Sequence, residues 1–186
     1  MKSFLTLLGI GLFAMSTAST TARAEPDPEN TLILELEHGK VVIEMLPDLA
    51  PDHVRQIKEL TREGFYDGIV FHRVMEGFMA QTGDPTGTGR GSSDKPDLRA
   101  EFSAEPFVRG VTGMARSQNP NSGNSQWFIC LGDARFLDKQ YTVWGRVVEG
   151  MEAVDKIKKA PAGRQSGQVD DPDHIVSLRV AADVGN

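Results

Sequence analysis

From residue 31 onward the apolar residues fall into short runs, each closed off by Gly, Pro, Asp or Asn. Short runs between turn formers are the pattern of strands in an all-β domain. Strands are expected at 31–36 and 40–46, with Glu37-His38-Gly39 as the hairpin punctuation between them. Six more are expected at 69–75, 78–81, 108–115, 126–131, 142–148 and 175–181. Only two stretches carry helical spacing. Pro51 stands where a helix can begin, Val54, Ile57 and Leu60 or Thr61 share one face, and Gly64 is placed to close it, which predicts a helix over 51–62. Met151, Val154 and Ile157 or Lys158 recur at the same period, with Glu152 and Asp155 early, Lys156, Lys158 and Lys159 late, and Pro161 as a stop. This predicts a second helix over 151–159. Eight strands and two helices fit either a β-sandwich or a closed barrel, and the spacing does not choose between them.

Ahead of this pattern lies a different one. Lys2 gives a positive start, residues 4–15 are almost uninterruptedly apolar, and Ala22-Arg23-Ala24 has the small-x-small form of a signal-peptide cleavage site. Cleavage is expected after Ala24, leaving a short tail at 25–30 and one domain at 31–186. The apolar run is shorter than the roughly 20 residues a helix needs to span a bilayer, so no membrane association is expected once it is removed. Losing Lys2 and Arg23 from 20 basic residues, against 26 acidic ones, moves the formal net charge from −6 to −8. An acidic body argues against nucleic acid and anionic membrane as partners, because both reward clustered Lys and Arg.

Several chemistries are excluded by residue type. Cys130 is the only cysteine, so no intramolecular disulfide can form, and its neighbours Trp127, Phe128 and Ile129 predict a packed, inert thiol. His38, His53, His72 and His174 lack metal-ligand spacing, and neither a metal nor a cofactor is expected. The glycine-rich stretch 83–93 would need to follow a strand and open a helix to cradle a phosphate. Ser92-Ser93-Asp94-Lys95-Pro96 follows instead, which predicts a surface loop. Residues 160–172 read as a polar connection before the last strand.

The candidate chemistry lies in two segments, FHRVMEGFMAQTGD at 71–84 and GMARSQNPNSGNSQWFICLGDARFL at 113–137. They supply an arginine, two glutamines and large apolar side chains, with no nucleophile elbow and no credible triad. That set suits a reaction that breaks no covalent bond. Both segments closely resemble the signature regions of cyclophilins, the peptidyl-prolyl cis/trans isomerases, and the resemblance continues through YTVWGRVVEGMEAV at 141–154.

The resemblance implies a closed eight-stranded antiparallel barrel capped at each end by a helix, and isomerisation of X-Pro bonds in exported or unfolded polypeptides. It places Arg73, Gln81 and Phe128 as catalytic residues and Phe78, Met79, Phe128 and Leu137 around the proline ring. Ala115, Gln126, Phe136 and Tyr141 are implied as further substrate contacts. On an alternating strand His72 should face away from Arg73. Phe136 stands where the best-known eukaryotic members carry tryptophan and Tyr141 where they carry histidine, so cyclosporin binding is expected to be weak or absent. The loop 116–124 is one residue longer than the eukaryotic one. The compact central loops resemble the bacterial secreted branch, which implies a periplasmic location, and a monomer is expected. A different class of protein, a proline-peptide-binding module or holding chaperone, could use the same groove without turnover. An intact set of Arg73, Gln81 and Phe128 favours the enzyme.

Overall fold

The structure, a computed structural model, describes residues 27–184; the expected signal segment 1–24 lies outside the described residues. Eight strands form where eight were expected: β1 Thr31–Leu36, β2 Gly39–Met45, β3 Arg73–Met75, β4 Met79–Thr82, β5 Val111–Met114, β6 Trp127–Cys130, β7 Val143–Glu149 and β8 Ile175–Val180. Helix α1 spans Pro51–Arg62 with proline in its first turn and buries His53, Val54, Gln56, Ile57, Leu60 and Thr61 along one face. The β1–β2 hairpin turns at Glu37-His38, with Leu36 paired to Gly39.

The strands make one antiparallel sheet in the order β3-β4-β6-β5-β7-β2-β1-β8. This corrects the expected closed barrel: the sheet is open and curled, and its edge strands β3 and β8 share no ladder. The physical reason lies in β3, which holds only three residues. Residues just before it bond instead to the chain leading into β8, through an isolated bridge between Val70 and His174 and the bond from Phe71 N to Asp173 O at 2.8 Å. The outer edge of β3 itself is taken by residues 160–169.

The second helix, α2, is also shorter than expected, covering Met151–Val154 rather than 151–159. The amides of Asp155, Lys156 and Ile157 still bond back to Met151, Ala153 and Val154, and past them the chain finds distant partners. Lys158 N donates to the Asp173 carboxylate at 2.8 Å and Ala160 N to Val74 O at 3.0 Å. Asp155 is held by a two-pronged contact from Arg109.

Alternation along each strand divides the apolar residues between two cores. Leu32, Leu34, Ile43, Trp127, Ile129 and Trp144 join Ile57 and Leu60 of α1 in the larger one. Met79, Phe128, Cys130 and Val143 point to the other face, with Phe107, Val111 and Leu137. Cys130 is fully buried there, and burial pushes its thiol up to about 12, as an inert packed cysteine requires.

Candidate active site

The smaller cluster carries the site. Across adjacent strands Arg73 pairs with Gln81, Gln81 with Phe128, and Phe128 with Gly113. Residues opposite one another in a ladder project to the same face, so register alone brings an arginine, a glutamine and a phenyl ring into one row. Met75 pairs with Met79 one step further along β3 and β4 and borders the same row. A small cavity of about 100 Å³ opens over these residues, lined by Arg73, Phe78, Met79, Gln81, Ala115, Arg116, Phe128, Leu137 and Tyr141. Its floor is apolar. Phe128 stacks on Phe107 with ring centroids 5.8 Å apart and meets Tyr141 edge-on at 6.0 Å, while a turn of 3-10 helix at Arg135–Leu137 delivers Leu137.

Oxygen acceptors hold the Arg73 guanidinium at two of its three nitrogens. Nη1 donates to Gln81 Oε1 at 3.2 Å and Nε to Ser166 O at 3.0 Å. Nη2 lies 3.4 Å from the Met75 sulfur, and the Phe78 ring centroid is 5.9 Å from Cζ. No ion pair involves Arg73 among the described residues. Burial pulls its pKa below the ordinary arginine value, yet a guanidinium keeps its proton in a protein. The result is a half-buried, permanently charged donor held by neutral acceptors.

Gln81 and Gln126 continue the chain of bonds. Gln81 Nε2 donates to Gln126 Oε1 at 2.8 Å, and Gln126 Nε2 to Gly91 O at 2.8 Å. Each amide is thereby oriented, with the oxygen of Gln81 turned to Arg73. The glycine-rich loop that supplies Gly91 is a surface loop, wound around the buried Asp84, whose carboxylate accepts from Thr86 N, Thr86 Oγ1 and Gly89 N.

Eight of the nine lining residues were named from the sequence. Gln126 instead borders a neighbouring cleft of about 510 Å³ together with Gln81 and Ala115. Phe136 stays at the rim, 63% exposed, its ring tilted against Phe78 at 5.2 Å. His72 is buried against Gly89 and makes no bond to Arg73. Sequence reasoning assigned no role to Arg116, at the start of the 116–124 loop, whose Cζ sits 4.4 Å from the Tyr141 ring centroid while Nε and Nη2 both donate to Gln140 O. It also missed Met75 and Ser166. Alternation from Arg73 could have found Met75; a main-chain carbonyl leaves no such signal.

A cationic donor beside a small apolar pocket, with no nucleophile and no paired carboxylate, can bind a cyclic apolar side chain and polarise its amide. Comparison with known proteins bears on the same point. Residues 31–180 match the family profile of cyclophilin type peptidyl-prolyl cis-trans isomerases. A probable peptidyl-prolyl cis-trans isomerase of Brucella suis is 53% identical over 188 residues, 95% of each chain, and the rat peptidyl-prolyl cis-trans isomerase-like 3 is 36% identical over 156 residues, 82% of this chain and 96% of that one. Among solved structures, cyclophilin AquaCyp293 from Hirschia baltica superposes with a TM-score of 0.76 at 30% identity, covering 86% of this chain and 77% of its own. A Cryptosporidium parvum cyclophilin type isomerase, crystallised in the presence of the dipeptide Ala-Pro, gives 0.73 at 25% identity over 81% and 98%. On this footing the chain belongs to the cyclophilin-type peptidyl-prolyl cis-trans isomerases, and it is an enzyme of the isomerase class.

Proposed function

We propose that this enzyme accelerates rotation about X-Pro bonds of exported or unfolded polypeptides, seating the proline ring on Met79, Phe128 and Leu137 and stabilising the twisted amide with Arg73. The observation that carries this reading is the Arg73 fork at the pocket edge, charged, without a carboxylate partner among the described residues, and held on one nitrogen by Gln81. The structure with Ala-Pro supports the same class of ligand for this chain.

The amide barrier is about 18–20 kcal/mol because the C–N bond has partial double-bond character. In the twisted state the proline nitrogen leaves conjugation and becomes an acceptor, whereas in both planar forms it is not one. A donor aimed at that nitrogen therefore binds the transition state selectively, and selectivity of that kind is what raises a rate. A hydrogen bond to a charged group contributes about 1.5–3 kcal/mol. At one decade per 1.36 kcal/mol, that single contact accelerates rotation roughly ten- to a hundredfold. No proton moves, so the fixed charge of arginine suits the role better than a titrating histidine.

Phe128 and the other apolar walls exclude water, which strengthens the contact. Gln126 and Ala115, bordering the adjoining cleft, bind the peptide backbone before the proline, and Phe136 and Tyr141 flank it. The sequence pattern at 1–24 supports action on polypeptides outside the cytoplasm, in the periplasm of a diderm host.

Protease-free NMR exchange on a short X-Pro peptide tests the reading. Wild type should drive fast exchange, and Arg73→Ala should lose most of it while peptide-induced shift changes persist. Binding without acceleration in either protein would sink the enzyme mechanism and leave a peptide-holding module.

A further inference from the structure

The side of Arg73 away from Gln81 is held by a segment that the sequence reads as a plain polar connection. Nε of Arg73 donates to Ser166 O at 3.0 Å. Around that contact, residues 160–169 run along the outer edge of β3 as a turn-rich segment with one bridge at Gln168. Val74 N donates to Gly167 O at 2.9 Å, Val169 N to His72 O at 3.1 Å, and Arg73 faces Gln168 across an antiparallel bridge. A three-residue edge strand would otherwise present unpaired backbone groups.

Gly167 makes the approach possible. Its φ of +72° lies where side-chain-bearing residues are strained, and a Cβ there would stand 2.5 Å from Met75 Cγ and 3.2 Å from Arg73 Cγ. The turn is closed from outside by Arg164, whose Nη1 reaches Asp170 Oδ1 at 2.6 Å and Gln168 O at 3.0 Å, and whose carbonyl accepts from Gly167 N.

We propose that the 164–168 turn is part of the catalytic apparatus: the Ser166 carbonyl is a positioning group for the Arg73 guanidinium, and Gly167 is the residue that admits it. This rests on Arg73 being the transition-state donor. Acceptors on two different nitrogens fix the rotation of a planar fork, so its remaining N–H groups are aimed before substrate arrives. Both acceptors are neutral, so they orient the cation without cancelling its charge. A carboxylate in either place would hold the fork equally well and weaken its field at the amide.

The test compares wild type, Arg73→Ala, Gly167→Ala and Arg164→Ala of the full chain by exchange rate at saturating X-Pro peptide, peptide affinity, melting temperature and the Arg73 Hε resonance. A misplacement of about 1 Å can cost on the order of a hundredfold in rate. Gly167→Ala should therefore lower exchange at saturation by about tenfold or more, with affinity within about twofold and a displaced Hε signal. Arg164→Ala removes an exposed pair that adds little to stability. It should leave melting unchanged yet lower the saturated rate about two- to fivefold and shift Hε, an effect a merely structural turn would not produce. If Gly167→Ala does not fold, Arg164→Ala alone decides on that readout. Wild-type exchange in both turn variants beside a collapsed Arg73→Ala would overturn the positioning role and leave the arginine mechanism standing. Wild-type exchange in Arg73→Ala would overturn both.

Discussion

Gly113 faces Phe128 across the β5–β6 ladder, and the phenyl ring occupies the space a side chain at 113 would need: a Cβ there would lie 2.4 Å from Phe128 Cζ and 2.6 Å from Phe107 Cε1. The absent side chain lets Phe128 lie flat beneath the pocket and stack on Phe107. Gly113→Ala should force that ring upward into the small cavity. Overpacking of this kind costs about 1–3 kcal/mol. Chemical denaturation should show the loss of stability, and peptide titration should show a weaker affinity because the proline seat is narrowed. A variant as stable and as tight-binding as wild type would contradict the account.

Arg73→Lys keeps the charge and loses the fork. A single ammonium cannot hold Ser166 O and Gln81 Oε1 while also donating toward a prolyl nitrogen, and its four-carbon stem is free to rotate. Exchange at saturating peptide should fall at least about tenfold, close to Arg73→Ala, since one decade corresponds to 1.36 kcal/mol, within the range of a single charge-assisted bond. A lysine variant at wild-type rate would mean that charge alone suffices and that the geometry of the fork is irrelevant.

Alternation made the two faces of the sheet legible. Trp127 and Ile129 against Phe128 and Cys130 is a period-two pattern, and the structure sends these pairs to different cores. Helix α1 was legible for a similar reason, since Pro51 and the face from Val54 to Leu60 are local features. Of the row Arg73, Gln81, Phe128 and Gly113, the first three were legible as residues and not as neighbours, because register is a property of paired strands, and Gly113 was not singled out at all. The open edge of the sheet and the early end of α2 were illegible. Both depend on amides such as Ala160 N and Lys158 N finding partners at Val74 and Asp173, far away along the chain. Counting strands supplied the right number and said nothing of whether β3 and β8 would pair.

Two buried histidines predict an acid limb to stability. His72 is buried with neither ring nitrogen in good hydrogen-bond geometry among the described residues, and burial lowers its pKa, opposed by the Asp84 carboxylate and the Val70 backbone and reinforced by Arg73. His53, under the first turn of α1, is lowered by burial against the opposing pull of Glu101, whose carboxylate lies 2.6 Å from Nδ1. Each folded value sits below the ordinary 6.5 of the unfolded chain. Their contribution is therefore complete above about pH 6.5 and is lost as pH falls through the folded values. Asp67, Asp84 and Asp155, all lowered from 3.8, lose theirs only further down. The melting temperature should begin to fall below about pH 6.5, before Asp67, Asp84 and Asp155 titrate. A level melting curve from about pH 7 to 5 would show that these imidazoles protonate freely.

Phe136 sets the last expectation. Its ring is 63% exposed and leans on Phe78 at the edge of the pocket, where it offers area and no hydrogen-bond donor. An indole in its place would keep the apolar contact with Phe78 and add an N–H. Cyclosporin should accordingly bind wild type weakly, and Phe136→Trp should tighten it. A neutral hydrogen bond contributes a net 0.5–1.5 kcal/mol, so the gain should be roughly two- to tenfold. Phe136→Tyr is the control, because its hydroxyl sits at the ring tip and not at the indole nitrogen's position. Titration calorimetry on the three proteins decides: tightening in the tryptophan variant alone assigns the deficit to the missing donor. Equal affinity in all three would place it elsewhere, with Tyr141 and the 116–124 loop next in line.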